Sequence, residues 1–318
     1  MKFKGIKPLM TAAMLSTLLT SMLNPGQAQA SPSTNQTLSA KAYINSEQAY
    51  GDVLIRQGTT FVTLTDLKSL GDYVYKYDNN KKQITMISKD TTVVLSAGSK
   101  HIRINGSNKS LYAAPFLKKG KTMIPLRAVA DAFHAKIYWN ASTKTAYIAK
   151  ADAKVLAGLK SDKLVTARNA AIKAPRISLI PKPLIERTYL EMQGVNYYFP
   201  KHKADKYFEL DNDLISYYEI RNSNAELKWQ AKVDSNKGKN PKSDLFFLPF
   251  YFMKEIGKQP NTLGWTVAQF NFRYPVGSTY YSILNSKDEP VFGDVELDNQ
   301  SPEYQGVIVE IPEESDSE

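Results

Sequence analysis

The chain repeats itself, and that limits its fold more than any other feature. Residues 56–86 (RQGTTFVTLTDLKSLGDYVYKYDNNKKQITM) are matched 62 residues later by residues 118–148 (KKGKTMIPLRAVADAFHAKIYWNASTKTAYI). Gly58 matches Gly120, Thr60 matches Thr122, Leu64 matches Leu126, Tyr77 matches Trp139 and Asp78 matches Asn140. Upstream, Ile44-Asn45 corresponds to Ile104-Asn105, so the copies start near residues 41 and 101. A period of this length marks one supersecondary unit used twice.

Each copy prescribes the same local path. A strand and tight turn come first. In the second copy the turn is Asn105-Gly106, two residues that tolerate positive φ. A glycine turn (Gly58, Gly120) then leads into a short apolar strand. Leu126, Val129, Ala130 and Phe133 fall at i, i+3, i+4 and i+7, one apolar stripe on a helix that Pro125 opens as its first residue. In the first copy Leu64, Leu67 and Leu70 form the stripe, Thr63-x-x-Asp66 resembles a capping box, and Gly71 suits a left-handed stop. Helices this short do not stand alone. They are expected to lie across hairpins whose turns are DNNK at 78–81 and NAST at 140–143. The fold class predicted for this half is α+β: two repeats of a small antiparallel sheet plus a short helix.

These residues resemble the copper amine oxidase N-terminal-like, or "stalk", domain, found in tandem on exported proteins of Gram-positive bacteria. The resemblance rests on Pro125, Leu126, Arg127, Val129, Ala130, Phe133, Trp139, Asn140, Lys144 and Ile148, and covers about residues 40–150. The first copy departs from the pattern, with Thr63 and Thr65 in place of the Pro and Arg and Tyr77 in place of the Trp. His134 stands where a glycine is usual. The resemblance implies a non-catalytic module on an exported protein.

Export has its own sign at the N-terminus. Lys2, Lys4 and Lys7 precede the apolar stretch PLMTAAMLSTLLTSML, and Ala28-Gln29-Ala30 offers a cleavage site. Residues 1–30 therefore read as a signal peptide, followed by a flexible segment at 31–40. Cleavage takes three lysines from a formal charge of +10 and leaves +7. That balance suits anionic wall polymers or lipid surfaces, although it also serves solubility alone. There is no cysteine, hence no disulfide framework. The expected location is secreted and extracellular, with cell-wall association and no transmembrane segment after cleavage. No nucleic-acid recognition module is present in the pattern.

The stalk-like region is expected to run over 41–160. Residues 161–187 hold Arg168, Arg176, Lys182 and Arg187 with Pro175, Pro181 and Pro183, and read as an extended basic connector. Residues 188–312 carry a β signal. AELKWQAKVD at 225–234 alternates, with Ala225, Leu227, Trp229, Ala231 and Val233 on one face. Asn222-Ser223-Asn224 joins it to ISYYEIR as a hairpin, and LFFLPFYFM at 245–253 reads as a buried edge or corner. Strands at this spacing predict an all-β, sandwich-like domain, ending in an acidic tail at 313–318. Its adjacent aromatics, Tyr197-Tyr198, Tyr217-Tyr218, Phe250-Tyr251 and Tyr280-Tyr281, should alternate between faces. One member of each pair then belongs to the core, and the outer members are available as a sugar platform.

The family name raises the question of an oxidase. Resemblance to the catalytic part of that enzyme would require a T-x-x-N-Y-D/E pattern and three copper-binding histidines. Here Gln193 and Tyr198 flank Asn196-Tyr197 instead, and His101, His134 and His202 lie in segments of different character. No cysteine nucleophile, G-x-S-x-G elbow or phosphate loop occurs. Glu209, Asp211 and Asp213 stand at i, i+2, i+4 but lack the glycine and distal glutamate of an EF-hand. Glu186, Glu191, Glu226 and Asp244 are the acids on which a glycosidase would draw. The sequence thus assigns no catalytic residue, no cofactor, no metal and no identifiable ligand residue. It describes an exported, non-catalytic cell-envelope protein for adhesion, scaffolding or ligand binding. The expected partners are anionic cell-wall polymers, polysaccharide or another envelope protein. The alternative is a cell-wall or polysaccharide-active hydrolase with its site in the C-terminal β domain.

Overall fold

The computed structural model describes residues 37–71, 73–188, 194–234, 236–238, 245–273, 278–288, 290–296 and 307–314. The expected signal peptide, most of the segment after it, Glu191, Gln193 and Asp244 lie outside the described residues. No described helix is long and apolar enough to cross a membrane.

The repeat region supplies β1 (Leu38–Ser39), β2 (Lys41–Ile44), β3 (Glu47–Gln48), β4 (Leu54–Arg56), β5 (Thr59–Thr63), a 3-10 helix (Leu64–Leu70), β6 (Val74–Asp78) and β7 (Gln83–Ile87). It continues with β8 (Thr92–Ser96), β9 (His101–Ile104), β10 (Ser107–Ser110), β11 (Phe116–Lys118), β12 (Lys121–Pro125), α1 (Leu126–Ala132), β13 (Lys136–Asn140) and β14 (Thr145–Ala149). These form sheets in the orders β1-β4-β5-β12-β11, β10-β9-β8-β7-β6 and β13-β14-β2-β3.

The first of these sheets joins the copies. Val62 pairs with Ile124, Phe61 with Pro125 and Thr63 with Met123. Each position in β5 has its repeat equivalent 62 residues on in β12, so this register describes a local two-fold axis at the Val62–Ile124 pair. The turns obey the same symmetry. Asn45-Ser46 and Asn105-Gly106 both hold two successive positive φ angles, as do Gln57-Gly58 and Lys119-Gly120. This is the twist that a two-residue antiparallel hairpin needs.

The expected stripe is the core. Leu126, Val129, Ala130 and Phe133 are all buried, and Val129 and Phe133 share one cluster with Leu67, Leu70, Ile84 and Met86. Three details of the helices differ from expectation. Pro125 ends β12 in an extended conformation and acts as N-cap, so the helix begins at Leu126. The first copy forms a 3-10 helix, whose polar side chains bond outside it, as residues of this type do when they compete with a helix. Thr63 does not cap it. Its hydroxyl donates to Asp66 Oδ2 (2.5 Å), while Asp66 Oδ1 accepts from the N–H groups of Tyr50 (3.0 Å) and Gly51 (3.2 Å). His134 holds φ +56°, the left-handed conformation its glycine-like place requires.

The stretch expected as an extended connector is largely structured. It follows α2 (Ala153–Gly158) and contains α3 (Leu164–Lys173) and β15 (Arg176–Ser178). Its prolines begin only at Pro175, and the alanine-rich run before them favours a helix. Beyond it lie β16 (Val195–Pro200), β17 (Lys206–Asp211), β18 (Leu214–Arg221), β19 (Asn224–Asp234), β20 (Tyr251–Gly257), β21 (Val267–Arg273), β22 (Ser278–Leu284) and β23 (Val291–Glu296).

These strands form one nine-stranded sheet, β15-β19-β18-β17-β16-β21-β22-β23 with β20 also on β19, where a sandwich of two sheets was expected. Both faces are covered from outside the sheet. Leu245, Phe247 and Leu248 cover one; Ala171 and Ala174 with Ile308, Val309 and Ile311 cover the other. The tyrosine pairs therefore do not form a platform: Tyr198 and Tyr217 enter one core, and Tyr218 enters the other. Tyr251 and Tyr280 stay exposed, but on strands toward opposite ends of the sheet.

The single apolar face expected for 225–233 is split by a bulge. Tyr217 pairs with Trp229 and Tyr218 with Leu227, which leaves Lys228 without a partner on β18. Leu227 thus joins the helix-covered core and Trp229 the other. The expected acidic tail also begins inside the fold. Arg168 and Glu314 are both buried and form a two-pronged pair, with Nη1–Oε2 at 2.5 Å and Nη2–Oε1 at 2.8 Å. Arg168 also lies over the rings of Phe199 and Phe270.

Candidate functional site

A cleft of about 660 Å³ opens where the β13-β14-β2-β3 sheet faces β17, β18 and β19. One wall is part of a ladder of side chains across four strands, of which Tyr43, Gln48 and Tyr147 line the cleft. Tyr138 pairs with Tyr147, Tyr147 with Tyr43, and Tyr43 with Gln48, so all four stand on one face of the sheet. The central pair comes from a recurring tripeptide. Ala42-Tyr43-Ile44 and Ala146-Tyr147-Ile148 lie side by side in parallel, residue against identical residue. The alanines and isoleucines turn into the core, and the tyrosines turn out.

The Tyr43 and Tyr147 rings stack with centroids 5.3 Å apart and planes 11° from parallel. Burial pushes the Tyr147 hydroxyl up to about 12, with Tyr43 adding to it. Burial likewise raises Tyr43, helped by the charge of Glu186. The Tyr43 hydroxyl donates to Gln48 Oε1 at 3.3 Å. At the far end of the ladder, Asn224 Nδ2 donates to the Tyr138 hydroxyl at 2.7 Å.

The opposite wall is charged but internally balanced. Arg176 donates to both oxygens of Glu209, at 2.9 and 2.5 Å, and its guanidinium lies 5.2 Å from the Tyr218 ring centre. Burial works against the Arg176 cation, yet Tyr218 and Glu209 hold its pKa well above the ordinary guanidinium value. Arg187 pairs with Asp211. Gln230 accepts from the Ile185 N–H (2.7 Å) and donates to Ser216 Oγ (3.2 Å), which fixes the 182–187 segment as a third wall. The cleft is held in shape from both sides: Arg176 N–H donates to Ser46 Oγ at 2.8 Å, and Asn140 Nδ2 donates to the carbonyls of Ile180 (2.7 Å) and Ser178 (3.3 Å).

This arrangement says what the acids can do. Glu209 and Asp211 each already accept from a guanidinium, which fixes their carboxylates in place as acceptors. Asp213, the third acid of that run, sits in the following turn. Burial would raise it, but the Thr188 N–H (2.8 Å) and the Lys232 ammonium (3.3 Å) hold it low. Glu226 lies 2.5 Å from Lys228. Of the two glycosidase candidates among the described residues, Glu186 lines the cleft and Glu226 does not. His101 is on β9, His134 follows α1 and His202 follows β16, three separate elements.

Two sequence expectations change here. All three arginines of 161–187 pair with carboxylates of the chain, Arg168 in the interior and Arg187 at the surface, so the unpaired positive charge of that stretch rests on lysines. The aromatic surface sought among the second-half tyrosines belongs instead to the repeat region. The twice-used Ala-Tyr-Ile was the signal for it.

Residues 40–192 match the family model of the copper amine oxidase N-terminal domain. The matched range extends past residue 160 to take in α3 and β15. No curated protein matches the chain.

Proposed function

We propose, from the premise that residues 40–192 are a copper amine oxidase N-terminal domain, a non-catalytic and stalk-like kind, that this is an exported cell-envelope protein that binds a ligand without transforming it. One observation carries the reading: the stalk-like domain is not a detached spacer but one wall of a cleft whose other wall belongs to the large sheet. A wall of stacked tyrosines opposite pre-paired charges can hold a molecule by surface complementarity. Two of its carboxylates, Glu209 and Asp211, are paired with arginines, an arrangement suited to fixed hydrogen bonding. Export rests on the N-terminal pattern of lysines, apolar stretch and Ala-Gln-Ala.

The test is sedimentation of the intact chain from residue 31 with purified cell wall. Retention that survives moderate salt supports envelope binding; passage into the supernatant at low salt overturns it. The hydrolase alternative depends on Glu186 acting with a second acid, and Glu186→Gln tests it. If wall material is solubilised by the native chain but not by this variant, the protein is an enzyme.

A further inference from the structure

We propose that the cleft takes a short, carboxylate-bearing oligosaccharide, an assignment that rests on the ligand-binding reading above. Three features select this class. First, both main walls are largely faces of sheets, and at the edge strand β15, which also lines the cleft, the Arg176 N–H and the Ser178 carbonyl are already taken by Ser46 and Asn140. An extended peptide gains most of its affinity by pairing with such an edge, and here that edge is partly used. Second, Tyr43 is half-buried, stacked on Tyr147 on one side, and lines the open part of the cleft beside the exposed Gln48. A flat ring next to an amide matches a pyranose, whose C–H face stacks while its hydroxyls bond to neighbouring planar polar groups. The Arg176–Glu209 and Arg187–Asp211 pairs are such groups, held rigid before any ligand arrives.

Third, the charge at the mouth is net positive, with two lysines against the exposed carboxylate of Glu186. Lys41 and Lys182 are exposed, line the cleft, and form no ion pair among the described residues. The arginines of the same cleft are occupied by carboxylates of the chain. After Glu186 is counted, one net positive charge is left to meet an anionic substituent. A carboxylate on the sugar supplies that substituent at the distance of a side chain, where phosphate-rich polymers without sugar rings would leave the tyrosine wall unused.

The experiment is calorimetric titration of the intact chain from residue 31 with oligogalacturonate, with glycan strands stripped of stem peptides, and with chitotetraose as the neutral control. Binding of at least one carboxylated fragment is expected, weakened roughly tenfold by Tyr43→Ala, in keeping with the loss of one stacking contact worth about 1.4 kcal/mol. Gln48→Ala, at an exposed position, provides a second variant should Tyr43→Ala fold poorly, and Lys182→Ala should weaken the carboxylated fragments and raise the salt tolerance of what remains. Silence of all three sugars overturns the assignment, as does binding that neither Tyr43→Ala nor Gln48→Ala weakens. Equal binding of chitotetraose overturns the carboxylate part. If the Tyr43→Ala chain still sediments with cell wall, the envelope reading stands and this one falls; if sugars bind but wall does not, the reverse holds.

Discussion

Two residues at the same place in the repeat show how one atom changes a role. Asp78 and Asn140 both close the turn after a helix-following strand. Asp78 Oδ1 accepts from the N–H groups of Asn80 (2.9 Å) and Lys81 (3.0 Å), and Asn140 Oδ1 accepts from Thr143 N–H (3.3 Å). Only the amide has a donor left over, and it reaches the carbonyls of Ser178 and Ile180. Asn140→Asp should therefore lose two hydrogen bonds and set a carboxylate against two carbonyls. The expected loss of stability is about 1–3 kcal/mol, read from urea denaturation. Asp78→Asn keeps its turn and touches nothing beyond it, so it should change stability by less than about 0.5 kcal/mol. Equal effects of the two substitutions would contradict this division of roles. A second residue-scale case is Glu314. Its removal would strand Arg168 in an interior where it already lies over two aromatic rings. Glu314→Ala should cost about 3–5 kcal/mol, the range for breaking one side of a buried pair. A thermal melt within a degree or so of the native one would show the tail to be dispensable.

At the scale of elements, the bulge at Lys228 decides which strand faces reach which core. Gly257 permits it: its φ is +80°, and a Cβ there would collide with the Lys228 carbonyl. Gly257→Ala should lose more than about 1 kcal/mol on conformation alone, with the collision added. Circular dichroism melts measure this, and an unchanged midpoint would mean that the strand can straighten without cost. The bulge also explains why the sequence misleads here. Strict alternation over 225–233 is legible and is obeyed in part, but alternation does not record an extra residue, which turns Trp229 away from Leu227. The helix stripes and the Asn-Gly hairpin were legible because short-range spacing alone determines them. The 3-10 form of the first helix was not, since it reflects where Asp66 and Ser69 find partners outside the helix. The cleft was the least legible of all. Its tyrosines lie in strands that are distant in sequence, and no local period says that Tyr43 will stand beside Tyr147.

At the scale of the molecule, the repeat region and the large sheet are joined by more than a link in the chain. Asn140 bonds to the 178–180 segment, Tyr138 to Asn224, and Ser46 to Arg176, while β15 pairs in parallel with β19. Calorimetry of the intact chain should give one unfolding transition; two resolved transitions would show the halves to be independent. The same molecule should be sensitive to alkali. Tyr75, in the first copy, and Tyr147, in the cleft, are each raised by burial from 10.0 to about 12. Burial also raises Tyr198 and Tyr217 in the large sheet. A raised acid keeps its proton longer in the folded chain than in the unfolded one. Its contribution is whole below pH 10.0 and is lost as pH climbs toward about 12, because the unfolded chain ionises first. A tenfold difference in proton affinity between the folded and the unfolded chain is worth about 1.4 kcal/mol. The melting temperature should therefore hold to about pH 10 and fall steeply above it, with tyrosinate absorbance appearing together with unfolding. Tyr147→Phe removes one of these groups and should make the fall shallower without changing its direction. A melting temperature that stays level between about pH 10 and pH 12 would mean that the tyrosines ionise in place, and that burial does not hold their protons.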